Sequence, residues 1–116
     1  MTSIRTIAVT AVLAVSAIVT AGCVGGDAGA KPADPVLAQG QTVYKAHCQT
    51  CHGNNGQGGT GMKLAGRVAQ VYPNIADQIS VIQNGKSSMP AWKNSLSPSD
   101  IAAVARYERE CLGTKC

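Results

Sequence analysis

An all-α fold of three to four short helices is the expectation from this 116-residue chain. Apolar residues recur at helical spacing in three separate segments, each flanked by residues suited to cap it. No segment alternates apolar and polar side chains as a half-buried strand does. The apolar supply is also small. From residue 23 onward only 21 of 94 residues are Val, Leu, Ile, Met, Trp or Tyr, and there is no Phe. A domain of that size buries a modest fraction of its surface, so a disulfide, a metal or a large apolar cofactor must help to complete the core. The length favours one domain over a multidomain enzyme. The net charge is +4, with no run of Lys or Arg, which argues against nucleic-acid binding.

Residues 1–22 have the form of a secretory signal. Arg5 is their only charge, residues 7–19 form an uncharged, mostly apolar stretch, and small residues follow. The segment closes on Thr20-Ala21-Gly22-Cys23, which resembles the lipobox of bacterial lipoproteins, with Thr20 where Leu is commoner. In that family the cysteine is lipidated and becomes the mature N-terminus. Two alternatives stand beside it, an ordinary cleaved signal and an uncleaved anchor helix, because the 18 uncharged residues from 7 to 24 reach the lower limit for spanning a bilayer. All three export the domain. Residues 24–33 hold three glycines and little to bury, so 23–33 is expected to be a lipidated tether spanning roughly 18 Å. The folded domain is then 34–116.

Within that domain, Val36, Gly40, Val43, Tyr44 and His47 fall at helical spacing and predict a helix over residues 34–50. Gly40 costs such a helix about 1 kcal/mol relative to Ala. It is either a tolerated defect or the point where another helix, the one carrying Tyr107, approaches closely. At the end of the helix stands Cys48-Gln49-Thr50-Cys51-His52. Two thiols three positions apart face the same side of a turn and can add to the two vinyl groups of a haem, while the following His reaches the iron. This is the attachment signature of c-type haem. A redox disulfide lacks its βαβ context here, and a zinc site lacks nearby third and fourth ligands. Residues 53–61, with five glycines and no apolar side chain, form a loop that either wraps a cofactor edge or is simply flexible. Asn74 caps a second helix, with Ile75, Ile79 and Ile82 on one face and Asn84-Gly85 at its end. Ser97 caps a third, with Pro98 in its first turn and Ile101, Val104 and Tyr107 as its inner stripe.

Residues 36–109 resemble a small class I cytochrome c. The resemblance rests on the haem motif, on Gly40-Gln41-Thr42-Val43-Tyr44 ahead of it, on Asn84-Gly85-Lys86-Ser87-Ser88-Met89-Pro90-Ala91-Trp92 as a methionine loop, and on Leu96-Ser97-Pro98-Ser99-Asp100-Ile101 with Tyr107 as the C-terminal helix. It implies three to four helices wrapped around one covalently bound haem c, with His52 and Met89 as the axial iron ligands. Met89 also stands in a Gly/Ser-rich loop before Pro90, where packing alone explains a methionine poorly. The other histidine, His47, directly precedes Cys48 and is expected to face away from the far side of the haem. Met62 departs from the family, which usually has a proline near this position, ahead of Leu64. The carbonyl there accepts a hydrogen bond from the axial histidine, and a backbone carbonyl survives the substitution.

His/Met ligation stabilises ferrous over ferric iron and leaves no open position, which implies a one-electron carrier rather than an enzyme. The alternatives are a fixed cytochrome subunit of a larger oxidoreductase, or a ligand sensor or peroxidase if the sixth position is open. Trp92 is either a hydrogen-bond donor to a haem propionate or a packing residue. Lys45, Lys63, Lys86 and Lys93 either steer redox partners with acidic docking patches or form a solvated surface. Cys23 is left for lipid, and Cys111 and Cys116 remain. In an oxidising compartment a disulfide between them, with Gly113 in the turn, is expected over free thiols or intermolecular pairing.

Overall fold

The computed structural model describes residues 31–114 and 116. The expected signal at 1–22, Cys23 and the tether as far as residue 30 lie outside the described residues. Helix α1 (Pro35–Val43) starts where the Asp34 carboxylate accepts the free N–H groups of Val36 at 2.8 Å and Leu37 at 3.4 Å. The run does not stop at Val43. It widens into a π-helical turn, Tyr44–Cys48, and closes as α2 (Gln49–His52), so one expected helix is a continuous stretch with a wider turn inside it. Such turns concentrate at functional sites. Here it resets the face on which the thiols and His52 lie. The inward face of α1 is Leu37, Gly40 and Val43, continued by Tyr44, while Val36 is 40% exposed.

Helix α3 (Val68–Val71) is a single turn that the apolar spacing did not reveal. Helix α4 (Ile75–Asn84) is capped by Asn74, which accepts from Ala76 N–H at 3.0 Å, and ends at Gly85. Helix α5 (Pro98–Glu110) opens with a capping box. The Ser97 hydroxyl accepts from Asp100 N–H at 3.1 Å, and the Asp100 carboxylate accepts from Ser97 N–H. Among the described residues there is no β-strand, so the all-α expectation holds.

The core lies where α1 crosses α5. Tyr44, Ile101 and Val104 are almost wholly enclosed there. Gly40 belongs to this crossing. A Cβ at Gly40 would collide with the Ala103 carbonyl oxygen and come within 2.7 Å of the Tyr107 Cβ. The glycine is therefore a close-approach residue and not a tolerated defect. The Tyr44 hydroxyl donates to the Gly53 carbonyl at 2.7 Å, and its ring lies 5.6 Å from that of Tyr107. Helix α4 packs on the other flank of α5 through Ile82 and Gln78. This arrangement leaves a cleft between α2, α3, α4 and the chain after α4.

Candidate cofactor site

The cleft has a volume of about 690 Å³, and its apolar walls include Leu64, Val68, Val81 and Ile82. Cys48, Cys51, His52 and Met89 all line it. Cys48 is buried and Cys51 exposed, and neither is bonded to another cysteine. Burial is the main cause that pushes the Cys48 thiol up to about 12, with Glu108 and Cys51 adding to it, so the thiol is neutral. Among the described residues no group of three or more His, Cys, Asp or Glu is arranged to hold a metal ion.

His52 is 8% exposed, and its Nδ1 lies 2.8 Å from the Met62 carbonyl oxygen. A carbonyl only accepts, so Nδ1 carries the proton and Nε2 keeps its lone pair on the cleft wall. The loop 53–61 makes this contact possible. Gly58 N–H donates to the His52 carbonyl and Gly61 N–H to that of Cys51, both at 2.8 Å. A Cβ at Gly61 would fall 2.7 Å from His52 Cε1, so only glycine allows the loop to pass the ring. The loop is thus folded back on the motif, with Thr60 and Gly61 on the cleft wall. Met62 itself is 40% exposed and contributes through its backbone.

Met89 reaches the cleft from a tight turn in which its N–H donates to the Lys86 carbonyl at 2.9 Å, with Ser87 in the left-handed region at φ 53°. Trp92 N–H donates to the Ile82 carbonyl at 3.1 Å and ties this loop to α4. His47, the residue before Cys48, also lines the cleft. The π-helical turn brings it, exposed, to the cleft, with its ring 5.1 Å from the Trp92 ring. Of the four lysines, Lys86 also lines the cleft, its Nζ 3.3 Å from the Tyr72 hydroxyl. Lys93 donates to Asn84 Oδ1 at 3.2 Å, and Lys45 and Lys63 are simply exposed. Beyond the cleft, Cys111 and Cys116 have Cα atoms 5.2 Å apart, within the usual span of a disulfide.

Several cleft residues carry no motif or capping signal in the sequence, the polar ones Arg67, Gln78 and Glu108 among them. Glu108 is 5% exposed, and its carboxylate accepts from Gln78 Nε2 at 2.7 Å. Burial pushes this carboxyl up to about 7 against the lowering effect of that bond. A signal was present. Glu108 lies seven residues after Ile101 and four after Val104, on the inner stripe of α5 where an apolar residue belongs.

The residues fit a haem attached through two thioethers. The cleft has the size of a cofactor pocket, its walls are apolar, both thiols face it, and the histidine is held in the ligand tautomer. Residues 35–107 match the family model described as cytochrome c oxidase, cbb3-type, subunit III. The chain is 34% identical over 84 residues to the cbb3-type cytochrome c oxidase subunit FixP of Azorhizobium caulinodans, covering 68% of this chain but only 29% of that protein. It is 38% identical over 76 residues to cytochrome c6 of Tetradesmus obliquus, covering 61% of this chain and 85% of that one. Among solved structures, cytochrome c6C from Synechococcus sp. PCC 7002 superposes with a TM-score of 0.57 at 29% identity, covering 67% of this chain and 99% of that one.

Proposed function

This chain belongs to the cytochrome c domain family whose model it matches over residues 35–107 and is a c-type electron carrier with a covalently bound haem c, and we propose that it works as a membrane-tethered shuttle with His52 and Met89 as axial ligands. Cys48 and Cys51 supply the thioethers. The observation that carries the reading is the convergence of both thiols, the His52 ring and the Met89 thioether on one apolar-walled cleft. The bound group supplies one-electron chemistry at its iron.

The chain's own residues do the rest. The Met62 carbonyl fixes the His52 tautomer and ring direction, as outer partners of metal-bound histidines generally do. The Lys86–Met89 turn and the Trp92 bond to α4 hold the thioether in place. Leu64, Val68 and Ile82 exclude water, which keeps reorganisation small when the charge changes. A soft thioether raises the potential relative to a second imidazole. Trp92 acts as a propionate donor, and Lys86, at the cleft, is the best placed of the lysines to meet an acidic partner. The export segment is 1–22, Cys23 carries the lipid, residues 23–33 form the tether, and the domain 34–116 is closed by a Cys111–Cys116 disulfide.

The test is a visible spectrum of the purified haem-loaded protein, oxidised and reduced, repeated under carbon monoxide. The expected result is a low-spin c-type spectrum with a weak far-red sulfur-to-iron band when oxidised, no rapid response to carbon monoxide, and loss of that band in Met89→Ala. A high-spin spectrum or immediate carbon monoxide binding would replace the carrier with a sensor or peroxidase. A second reading is favoured by the names of relatives such as FixP, namely that the domain is a fixed subunit of an oxidase. Stable co-purification with other subunits from membranes would select it.

A further inference from the structure

We propose that Glu108 is a redox-linked proton site, whose carboxylate takes up one proton from solvent for each electron a donor delivers to the domain and releases it on oxidation. The inference rests on the one-electron reading above. Glu108 is on the wall of the same cleft as Cys48, His52 and Met89 and is almost fully enclosed. Among the described residues no cation pairs with it. Arg109, its neighbour on α5, sends its guanidinium instead to the Gln78 Oε1 and to the carbonyls of Tyr72 and Pro73, each at 2.9 Å. From α4 the carboxylate receives one neutral amide bond, that of Gln78. From the first helical run it faces Tyr44 and Cys48, two groups that are neutral in their protonated forms and whose ionisation its charge opposes. From the α3 flank, Arg67 and Tyr72 share the cleft wall.

A carboxyl so placed has little to hold it ionised, and burial raises it to about 7. Its charge state then depends on the nearest charge that changes. Adding an electron in a water-poor cleft removes one positive charge, and the proton affinity of a neighbouring carboxylate rises in response. The step balances as one electron from the donor, taking ferric to ferrous iron, and one proton from solvent, taking carboxylate to acid, with no net change of charge. By linkage, the reduction potential falls as pH rises through the window in which Glu108 titrates. The equilibrium constant for reduction changes there by up to about tenfold per pH unit, for one proton per electron.

The experiment uses the haem-loaded full chain. Potentials of wild type, Glu108→Gln and His47→Asn are measured between about pH 5 and 9, and redox-induced infrared difference spectra are recorded in the carboxylic-acid carbonyl region. Glu108→Gln is expected to hold the high, low-pH potential of wild type throughout, while His47→Asn keeps the pH dependence. Reduction of wild type near neutrality is expected to raise a carboxylic-acid band that Glu108→Gln lacks. A reversible couple with the same pH dependence in Glu108→Gln as in wild type overturns this inference and leaves the carrier intact. Absence of any reversible couple overturns the carrier reading itself. If Glu108→Gln fails to take up haem, the wild-type infrared spectrum decides, because without a rising acid band on reduction the proposal falls.

Discussion

An acid placed where a helix buries its apolar stripe destabilises the fold whenever it ionises. Glu108 is such an acid, and the sign of its effect follows from burial. Its folded value, about 7, lies above the ordinary 4.5, so the folded state keeps a proton that the unfolded chain loses. The stability this confers is complete below about pH 4.5 and is lost as pH rises through about 7. At roughly 1.4 kcal/mol for each pH unit between those two values, the loss is on the order of 3 kcal/mol. Urea unfolding of the haem-loaded protein should therefore give a midpoint that falls between pH 5 and 8 in wild type and is nearly flat in Glu108→Gln. An equal slope in both would show that the carboxyl is solvated. Met62 illustrates the opposite case, a residue whose side chain is expendable. Its carbonyl holds His52 Nδ1 while the side chain is exposed. Met62→Ala is thus expected to leave the visible spectrum unchanged, in contrast to Met89→Ala. A changed low-spin spectrum in Met62→Ala would implicate the thioether instead.

Helices capped by local hydrogen bonds could be read directly, because a cap needs only a few adjacent residues. Asn74 and Ser97 stand where the expected helices begin, and Ser97→Ala, which removes the hydroxyl half of a capping box, should cost about 1 kcal/mol. The tight α1–α5 crossing was one of two readings that Gly40 left open, and the packing on Ala103 and Tyr107 selects it. There the prediction sets two effects against each other. Alanine improves helix propensity by about 1 kcal/mol, but its methyl meets the Ala103 carbonyl, which cannot rotate away. Overpacking of that kind costs about 1–3 kcal/mol, so Gly40→Ala should be net destabilising in thermal or urea unfolding. A gain in stability would mean that the crossing is slack. What could not be read had non-local causes. The π-helical turn at Tyr44–Cys48 has no periodicity of its own, and it is what carries His47 to the cleft. Helix α3 is too short for an amphipathic pattern. Val36 and Leu37 are adjacent apolar residues, and only the packing on α5 decides that Leu37 is the buried one. The stripe of α5 marks Glu108 as inward-facing, but the sequence does not show that its partner is Gln78, thirty residues away.

Taken as a whole, the molecule has two unequal halves. The α1–α5 crossing encloses Tyr44, Ile101, Val104 and Tyr107 with protein atoms on every side. The other half is arranged around a cleft of about 690 Å³, which Leu64, Val68 and Ile82 line, and Met89 and Trp92 there are half-buried. A cavity of that size in a small domain forfeits the dispersion contacts its lining would otherwise make, and small domains have little stability to spare. The bound cofactor supplies the missing apolar surface. The Cys48→Ser/Cys51→Ser chain, which offers neither thiol for attachment, should consequently lose order unevenly. Helices α1 and α5 share contacts that do not pass through the cleft, so they should retain part of their far-ultraviolet helical signal and their slowest amide exchange. Helices α3 and α4 and the Met89 turn, which meet across the cleft, should exchange quickly and be the first sites cut by protease. Hydrogen exchange resolved by residue would measure this directly, with the haem-loaded protein as reference. Uniform protection and cooperative unfolding without haem would mean that the cleft walls collapse onto one another, and the cofactor would then be a passenger in a core that closes without it.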